Sequence, residues 1–425
     1  MSMVRLAAAV ALAVSVALPA AAQGIPKVQS PEEVGFLATR LKRLSDRLNE
    51  GVKNNELPGA VVLIARNGKL VMFESFGFRD KEAKVPMTND TIFRIASMTK
   101  PIVSVATMIL MEEGKLTLAD PVSMYFPQLA NLQVTVANKD ADGKTTYTLV
   151  KAERPITVQD LLRHTSGFVY GGFTPNEQVK AAYSKLGVDW QDVTPAEQID
   201  RLAQAPLAHQ PGTTWEYSLS TDVLGRVVEK VSGMPLGTFL AERVFTPLKM
   251  NDTAFVVPKE KVARLAQPFP VNKETGKPIT LLDVTVAQKN DAGGAGSAGT
   301  AGDYARFLQM LLNGGQLDGA RLLSRTTVNY MTADHLDTIK PAVPGSLTPG
   351  YGFGLGFAVR NGNGVANIPG SAGEFNWGGA AGTAFWVDPK EQLVVVVMTQ
   401  TVPGVAAQRL DRARWRQAVY QALVD

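Results

Sequence analysis

Two stretches far apart in the chain restrict the fold more than anything between them. "GAVVLIARNGKLVMFESFGFRD" (59–80) and "GTAFWVDPKEQLVVVVMTQ" (382–400) both read as β-hairpins. In the first, two β-rich runs meet at Asn67-Gly68, residues that tolerate positive φ and favour a two-residue turn. In the second, the strands flank Asp388-Pro389. An antiparallel sheet built from both ends of the chain is the simplest structure that uses them.

The segments around and between these hairpins carry helix signals. "RLKRLSDRLNEGVKNN" (40–55) reads as a helix before the first hairpin, and "RLDRARWRQAVYQALVD" (409–425) as one after the second, with its arginines on the wet face. Thr157 with Asp160, and Thr194 with Pro195 and Glu197, have capping-box spacing. "STDVLGRVVEKVSG" stops at Gly233. The expected fold is α/β in the α+β sense: an antiparallel sheet flanked by helices, with a mainly helical lobe inserted. The boundaries are an α/β lobe of about 23–105 plus 290–425 and a helical lobe of about 106–289, in one unit, 23–425, without repeats or low-complexity linkers. A chain of 425 residues with 45% hydrophobic residues is long enough for such a core.

Composition excludes several functions. A net charge of +4, with basic residues scattered, argues against a nucleic-acid partner. The absence of Cys removes disulfides, thiol nucleophiles and Cys-based zinc sites, and three histidines do not suggest a metal centre. No metal and no cofactor is expected. Arg5, the apolar run "LAAAVALAVSVAL" and Ala20-Ala21-Ala22 before Gln23 form the pattern of a cleavable export signal, residues 1–22. No later segment reads as transmembrane. The expectation is a periplasmic or secreted protein without stable membrane insertion; the oligomeric state is left open.

Gly294, Gly296 and Gly299 match G-x-G-x-x-G, but "AQKNDA" precedes them instead of a hydrophobic strand, so a tight turn entering a helix is expected rather than a dinucleotide site. A more productive pattern is "RIASMTKPIVSVATMILMEEGKL" (94–116), in which Ser97 and Lys100 stand three residues apart at the start of an amphipathic helix. Pro101 must lie near the helix start, because an interior proline breaks the hydrogen-bond ladder. Ser97 therefore falls in or near the first turn, where backbone N–H groups and the positive end of the helix dipole favour a developing oxyanion. Lys100 shares its face and can take the hydroxyl proton. A lysine with an ordinary pKa of about 10.4 is almost wholly charged at neutral pH, so the site has to assist it. Tyr217 in "PGTTWEYSLSTDVLG", between a Pro-Gly turn and a helix, is a suitable proton-sharing phenol.

"IASMTK", "LLRHTSGF", "PGTTWEYS", "DVLG" and "YGFGLGF", in this order over almost all of the chain after residue 22, resemble the serine β-lactamase and penicillin-recognising superfamily, and most closely its family VIII carboxylesterase branch. The resemblance implies Ser97 as acyl-forming nucleophile, Lys100 as paired base and Tyr217 as second base. It also implies an oxyanion hole from the backbone N–H groups of Ser97 and Ala380, and a substrate-binding set of Ser218, Trp377, Gly378 and Gly379. His164 is expected to fix a loop beside the site, and Trp377 either to line the acyl pocket or to cover the sheet. Two segments depart from the β-lactamase pattern. Tyr217-Ser218-Leu219 stands in place of Tyr-Ala-Asn, and Trp377-Gly378-Gly379 in place of Lys-Thr-Gly, so the groups that address a β-lactam carboxylate are missing. The implied activity is hydrolysis of short-chain carboxylic esters through an acyl-enzyme. The alternatives are a β-lactamase, a D-alanyl-D-alanine peptidase, an amide hydrolase, an acyltransferase and a non-catalytic cell-wall-binding protein.

Overall fold

The computed structural model describes residues 24–188, 192–273, 275–401 and 405–425, with backbone alone for 405–410. The expected export signal lies outside the described residues. Helix α1 (Ala38–Lys53) precedes the hairpin of β1 (Gly59–Arg66) and β2 (Lys69–Asp80). Asn67 and Gly68 in its turn take φ of 52° and 69°, two successive positive values that match the turn to the twist of the strands. The sheet is completed by β3 (Val85–Pro86), β4 (Tyr351–Phe353), β5 (Ala358–Arg360), β6 (Phe375–Gly378), β7 (Ala384–Asp388) and β8 (Leu393–Thr399). These eight strands, all in antiparallel pairs, run in the order β4-β5-β6-β7-β8-β1-β2-β3. The two predicted hairpins therefore join at the middle of the sheet, where β1 pairs with β8.

Helices cover both faces. Leu63 with Val396 and Val61 with Met398 point into the larger core, together with α2 (Thr99–Glu112), α3 (Ser220–Ser232) and α4 (Ala301–Leu312). Ala60, Val62, Val395 and Val397 point the other way, against Leu41, Leu44 and Leu48 of α1 and Trp415 and Val419 of α5 (Val405–Tyr420). With no wet face, β1 and β8 are buried at every position and read as continuous apolar runs. Each fully buried leucine of α1 contributes about 1.5–3 kcal/mol.

Between α2 and α4 the chain forms α3, several shorter helices and an exposed ribbon of Gln133–Lys139 with Thr145–Lys151. Both predicted capping boxes form, and α3 ends on Gly233 at φ 73°. Two helix readings need correction. Helix α2 is buried at every residue from Thr99 to Leu110, so it is a central helix packed all round, not an amphipathic one. On α5, Arg414 is exposed, but Arg416 is buried and Arg412 bonds to the sheet, so the arginines are not confined to a wet face. Among the described residues, no helix is long and apolar enough to cross a membrane, and no group of three or more His, Asp or Glu residues could hold a metal ion.

Candidate active site

Ser97 lies in a single 3-10 turn, Ala96–Met98, that runs directly into α2. Ala96, just before it, has φ 45°, a left-handed value that a non-glycine residue keeps only when its surroundings impose it. The surroundings do so through several bonds. Thr99 Oγ1 donates to the Ala96 carbonyl at 2.7 Å and lies 2.7 Å from Ser297 Oγ, and the Ile95 N–H donates to the Ser297 carbonyl at 3.0 Å. The Tyr304 hydroxyl donates to the Met98 carbonyl at 2.9 Å. The glycine-rich segment 293–299, which enters α4, is thus the brace of the Ser97 turn.

Lys100 is 1% exposed. Its Nζ reaches Ser97 Oγ at 3.4 Å, the Tyr170 hydroxyl at 3.0 Å and the Gly294 carbonyl at 2.6 Å. It also stands 4.7 Å from the centre of the Tyr217 ring. The predicted Ser97, Lys100 and Tyr217 are thus brought together, but the phenol bonded to Lys100 is Tyr170. The Tyr217 hydroxyl is buried without a hydrogen-bond partner, an arrangement that costs free energy and leaves a donor and acceptor for an incoming group. Tyr170 lies six residues after His164, just beyond the quoted "LLRHTSGF", and its phenol approaches Asp222 Oδ2 at 3.4 Å. Asp222 Oδ1 accepts the Gly294 N–H at 3.0 Å, so Gly294 is bonded on one side to Asp222 and on the other to Lys100. Only glycine fits there, since a Cβ would lie 2.3 Å from Asp222 Oδ2 and 2.8 Å from the Tyr170 oxygen.

His164 is buried behind Tyr217, with ring centres 5.0 Å apart and Nδ1 3.0 Å from Ser218 Oγ. Burial, helped by the Lys100 charge, holds its pKa well below the usual histidine value, so the imidazole is neutral. Ser218, expected to bind substrate, is instead 0% exposed, and its hydroxyl is engaged by His164 and by Ser220 at 2.7 Å. It supports the floor of the site and offers a ligand no surface.

The other wall is β6 and the loop that follows it. Trp377 is partly buried, its ring centre 5.3 Å from that of Tyr217 and 5.3 Å from that of Phe353, so it both faces the site and covers the sheet. Side-chain alternation then sends Gly378 to the opposite face, where a Cβ would lie 2.5 Å from the Arg412 guanidinium carbon. Gly379 returns to the Ser97 side, where a Cβ would lie 2.4 Å from the Ile95 carbonyl oxygen. The two glycines let α5 and the Ser97 turn close on the backbone from opposite faces. Ala380 follows, exposed, at the loop tip.

Residues 44–420 match the Beta-lactamase family model. Esterase EstB of Burkholderia gladioli is 34% identical over 392 residues, covering 87% of this chain and 92% of that protein. Protein Rv1367c of Mycobacterium tuberculosis is 37% identical over 359 residues, 82% of this chain and 87% of that protein. Among solved structures, "EstCE1, a hydrolase with promiscuous acyltransferase activity" aligns with TM-score 0.73 at 30% identity, covering 90% of this chain and 99% of that one. Together with the fold and with a serine and a lysine at the head of α2, these similarities make the chain a member of the β-lactamase family, within its β-lactamase-like esterases, and a serine hydrolase.

Proposed function

We propose that this serine hydrolase cleaves short-chain carboxylic esters through an acyl-enzyme on Ser97. The observation that carries the reading is Lys100 Nζ, buried and within 3.4 Å of Ser97 Oγ, with one phenol bonded to it and the ring of a second 4.7 Å away. Ser97 Oγ attacks the ester carbonyl, and its proton passes to Lys100 Nζ, which acts as the base in its neutral amine form. The Tyr217 hydroxyl, which has no partner of its own, returns a proton to the departing alkoxide. Water then attacks the acyl-enzyme by the same route in reverse. The N–H groups of Ser97 and Ala380 receive the oxyanion.

The substrate class rests on what faces the site. Trp377 occupies the place of the lysine that addresses a carboxylate in the β-lactamase pattern, and Tyr170, Tyr217 and Trp377 form an aromatic wall. A substrate carboxylate entering beside Trp377 loses hydration without gaining the cation that a lysine at that position supplies, whereas an uncharged ester brings no such cost. We expect kcat/KM for p-nitrophenyl acetate or butyrate to exceed that for benzylpenicillin by at least about a hundredfold, roughly 2.7 kcal/mol in transition-state binding. Ser97→Ala should fold and lose both activities. Activity or a fluorophosphonate adduct retained by that variant, or efficient penicillin turnover with negligible ester cleavage, contradicts the reading.

A second reading, acyl transfer to an alcohol, is favoured by the same aromatic wall and by the acyltransferase activity in the description of EstCE1. Partitioning of the acyl group between water and added short alcohols tests it. Export is proposed on the pattern of residues 1–22 alone, and a mature N-terminus at Gln23 is the expected result of N-terminal sequencing.

A further inference from the structure

The loop that carries Ala380 is held from behind by a side chain outside the site. Residues 379–383 join β6 to β7, and the Gly379 carbonyl there accepts two hydrogen bonds. One is from the Gly382 N–H at 3.1 Å and closes the turn; the other is from Arg412 Nη2 at 2.8 Å. The same Nη2 also donates to the Thr383 carbonyl at 2.9 Å, at the far end of the loop. Arg412 belongs to α5, packed on the sheet face opposite α2. It reaches the loop across Gly378, where any side chain would collide with its guanidinium.

The carbonyl that Arg412 holds is in the same peptide unit as the Ala380 N–H. A peptide group is planar, and the described chain contains no cis bond, so the Gly379 C=O and the Ala380 N–H point in opposite directions. A carbonyl drawn back toward α5 turns its N–H away from α5, toward the face where Gly379 meets Ile95 and the Ser97 turn begins. The guanidinium also acts electronically. A cation bonded to a carbonyl draws density through the amide and makes the N–H on its other side a stronger donor. The Gly382 N–H, a neutral donor, can hold the turn but contributes less to this polarisation.

We propose that Arg412 is a positioning residue for ester hydrolysis, aiming and strengthening the Ala380 N–H as an oxyanion donor from the opposite face of the sheet. This rests on the reading that Ser97 forms an acyl-enzyme whose oxyanion is received at Ala380. Arg412 touches no substrate. Its effect belongs to the transition state, when negative charge appears on the substrate oxygen, and not to the binding of a neutral ester.

The test compares full-length Arg412→Gln and Arg412→Lys with the wild-type enzyme, using p-nitrophenyl butyrate, an aryl boronic acid as mimic of the tetrahedral adduct, and NMR of the Ala380 amide. Labelling with 13C-carbonyl Gly and 15N-Ala narrows the spectrum to Gly–Ala pairs. For Arg412→Gln we expect kcat to fall about 10- to 100-fold with KM within about threefold, and boronate affinity to fall in parallel. The 15N resonance of Ala380 should move upfield. Arg412→Lys, which keeps a cationic donor, should lie between the two and serves as the test if Arg412→Gln does not fold. An unchanged kcat or an unmoved Ala380 resonance in a folded variant overturns the proposal and leaves the acyl-enzyme reading intact. An active Ser97→Ala overturns both, through a different variant.

Discussion

Two phenols approach Lys100 Nζ, and their surroundings differ. Tyr170 is bonded to Lys100 and close to Asp222, so it orients the lysine; Tyr217 has an unspent hydroxyl, so it can bond to substrate. Tyr217→Phe is therefore expected to lower kcat by at least about a hundredfold with little change in KM, and Tyr170→Phe by less, in steady-state ester assays. His164 makes a different prediction. In the unfolded chain a histidine gains a proton as pH falls through about 6.5, whereas the native imidazole, held well below that value by burial, does not. Native stability contributed by the neutral ring is thus complete above about pH 6.5 and is lost on acidification, at up to about 1.4 kcal/mol per pH unit. His164→Asn should be less stable at pH 7.5 yet lose less stability between pH 6.5 and 5, as read from urea unfolding. Ser97 and Lys100 were legible in the sequence because three residues at a helix start set their mutual position without help from the rest of the fold. Tyr170 and Gly294 were not, since they lie 70 and 194 residues from Lys100 and only tertiary structure brings them to it.

At the scale of elements, the site depends on how closely β6 and its loop approach the turn that opens α2. A Cβ on Gly379 would lie 2.3 Å from Thr383 Oγ1 and 2.4 Å from the Ile95 carbonyl oxygen, and the second of these is backbone that cannot rotate away. Gly379→Ala should therefore push the loop off the Ser97 turn and lower kcat/KM about a hundredfold, as expected when reacting groups are displaced by about 1 Å. Gly362→Ala, where nothing lies within 4 Å and φ is not left-handed, should leave ester hydrolysis unchanged in the same assay. Helix ends were readable because capping boxes and stop glycines are local chemistry, and Thr157, Thr194 and Gly233 act where the spacing placed them. The faces of α2 and α5 were not. A buried arginine looks the same in sequence as a solvated one, and what decides is the set of acceptors opposite it, here the Gly379 and Thr383 carbonyls and the Glu374 carboxylate.

Over the whole molecule, α5 is fastened to the sheet by charge as well as by apolar packing. Arg416 pairs with Glu374, which is 0% exposed and also accepts from the Tyr351 hydroxyl at 3.1 Å. Burial pushes the Glu374 carboxyl up to about 7 against the opposing pull of Arg416. Arg416→Met would strand a buried carboxylate, and a loss of about 3–5 kcal/mol is expected in denaturant unfolding at pH 8. The double variant with Glu374→Leu should recover much of it, because the cost comes from the unpaired charge and not from loss of the pair itself. The sheet built from two distant hairpins was visible in the sequence, and its central seam has a consequence in time. Thr399 Oγ1 donates to the Gly59 carbonyl across 340 residues of sequence. At about 5–20 residues per second of synthesis, β1 waits roughly 20–70 s for the strand that covers its edge. During that interval the nascent chain exposes a long apolar strand with open hydrogen-bonding groups, a template for pairing with its neighbours on the same messenger. The yield of folded protein should therefore depend on how fast chains are initiated: crowded ribosomes favour aggregation, and sparse ones let each sheet close on itself.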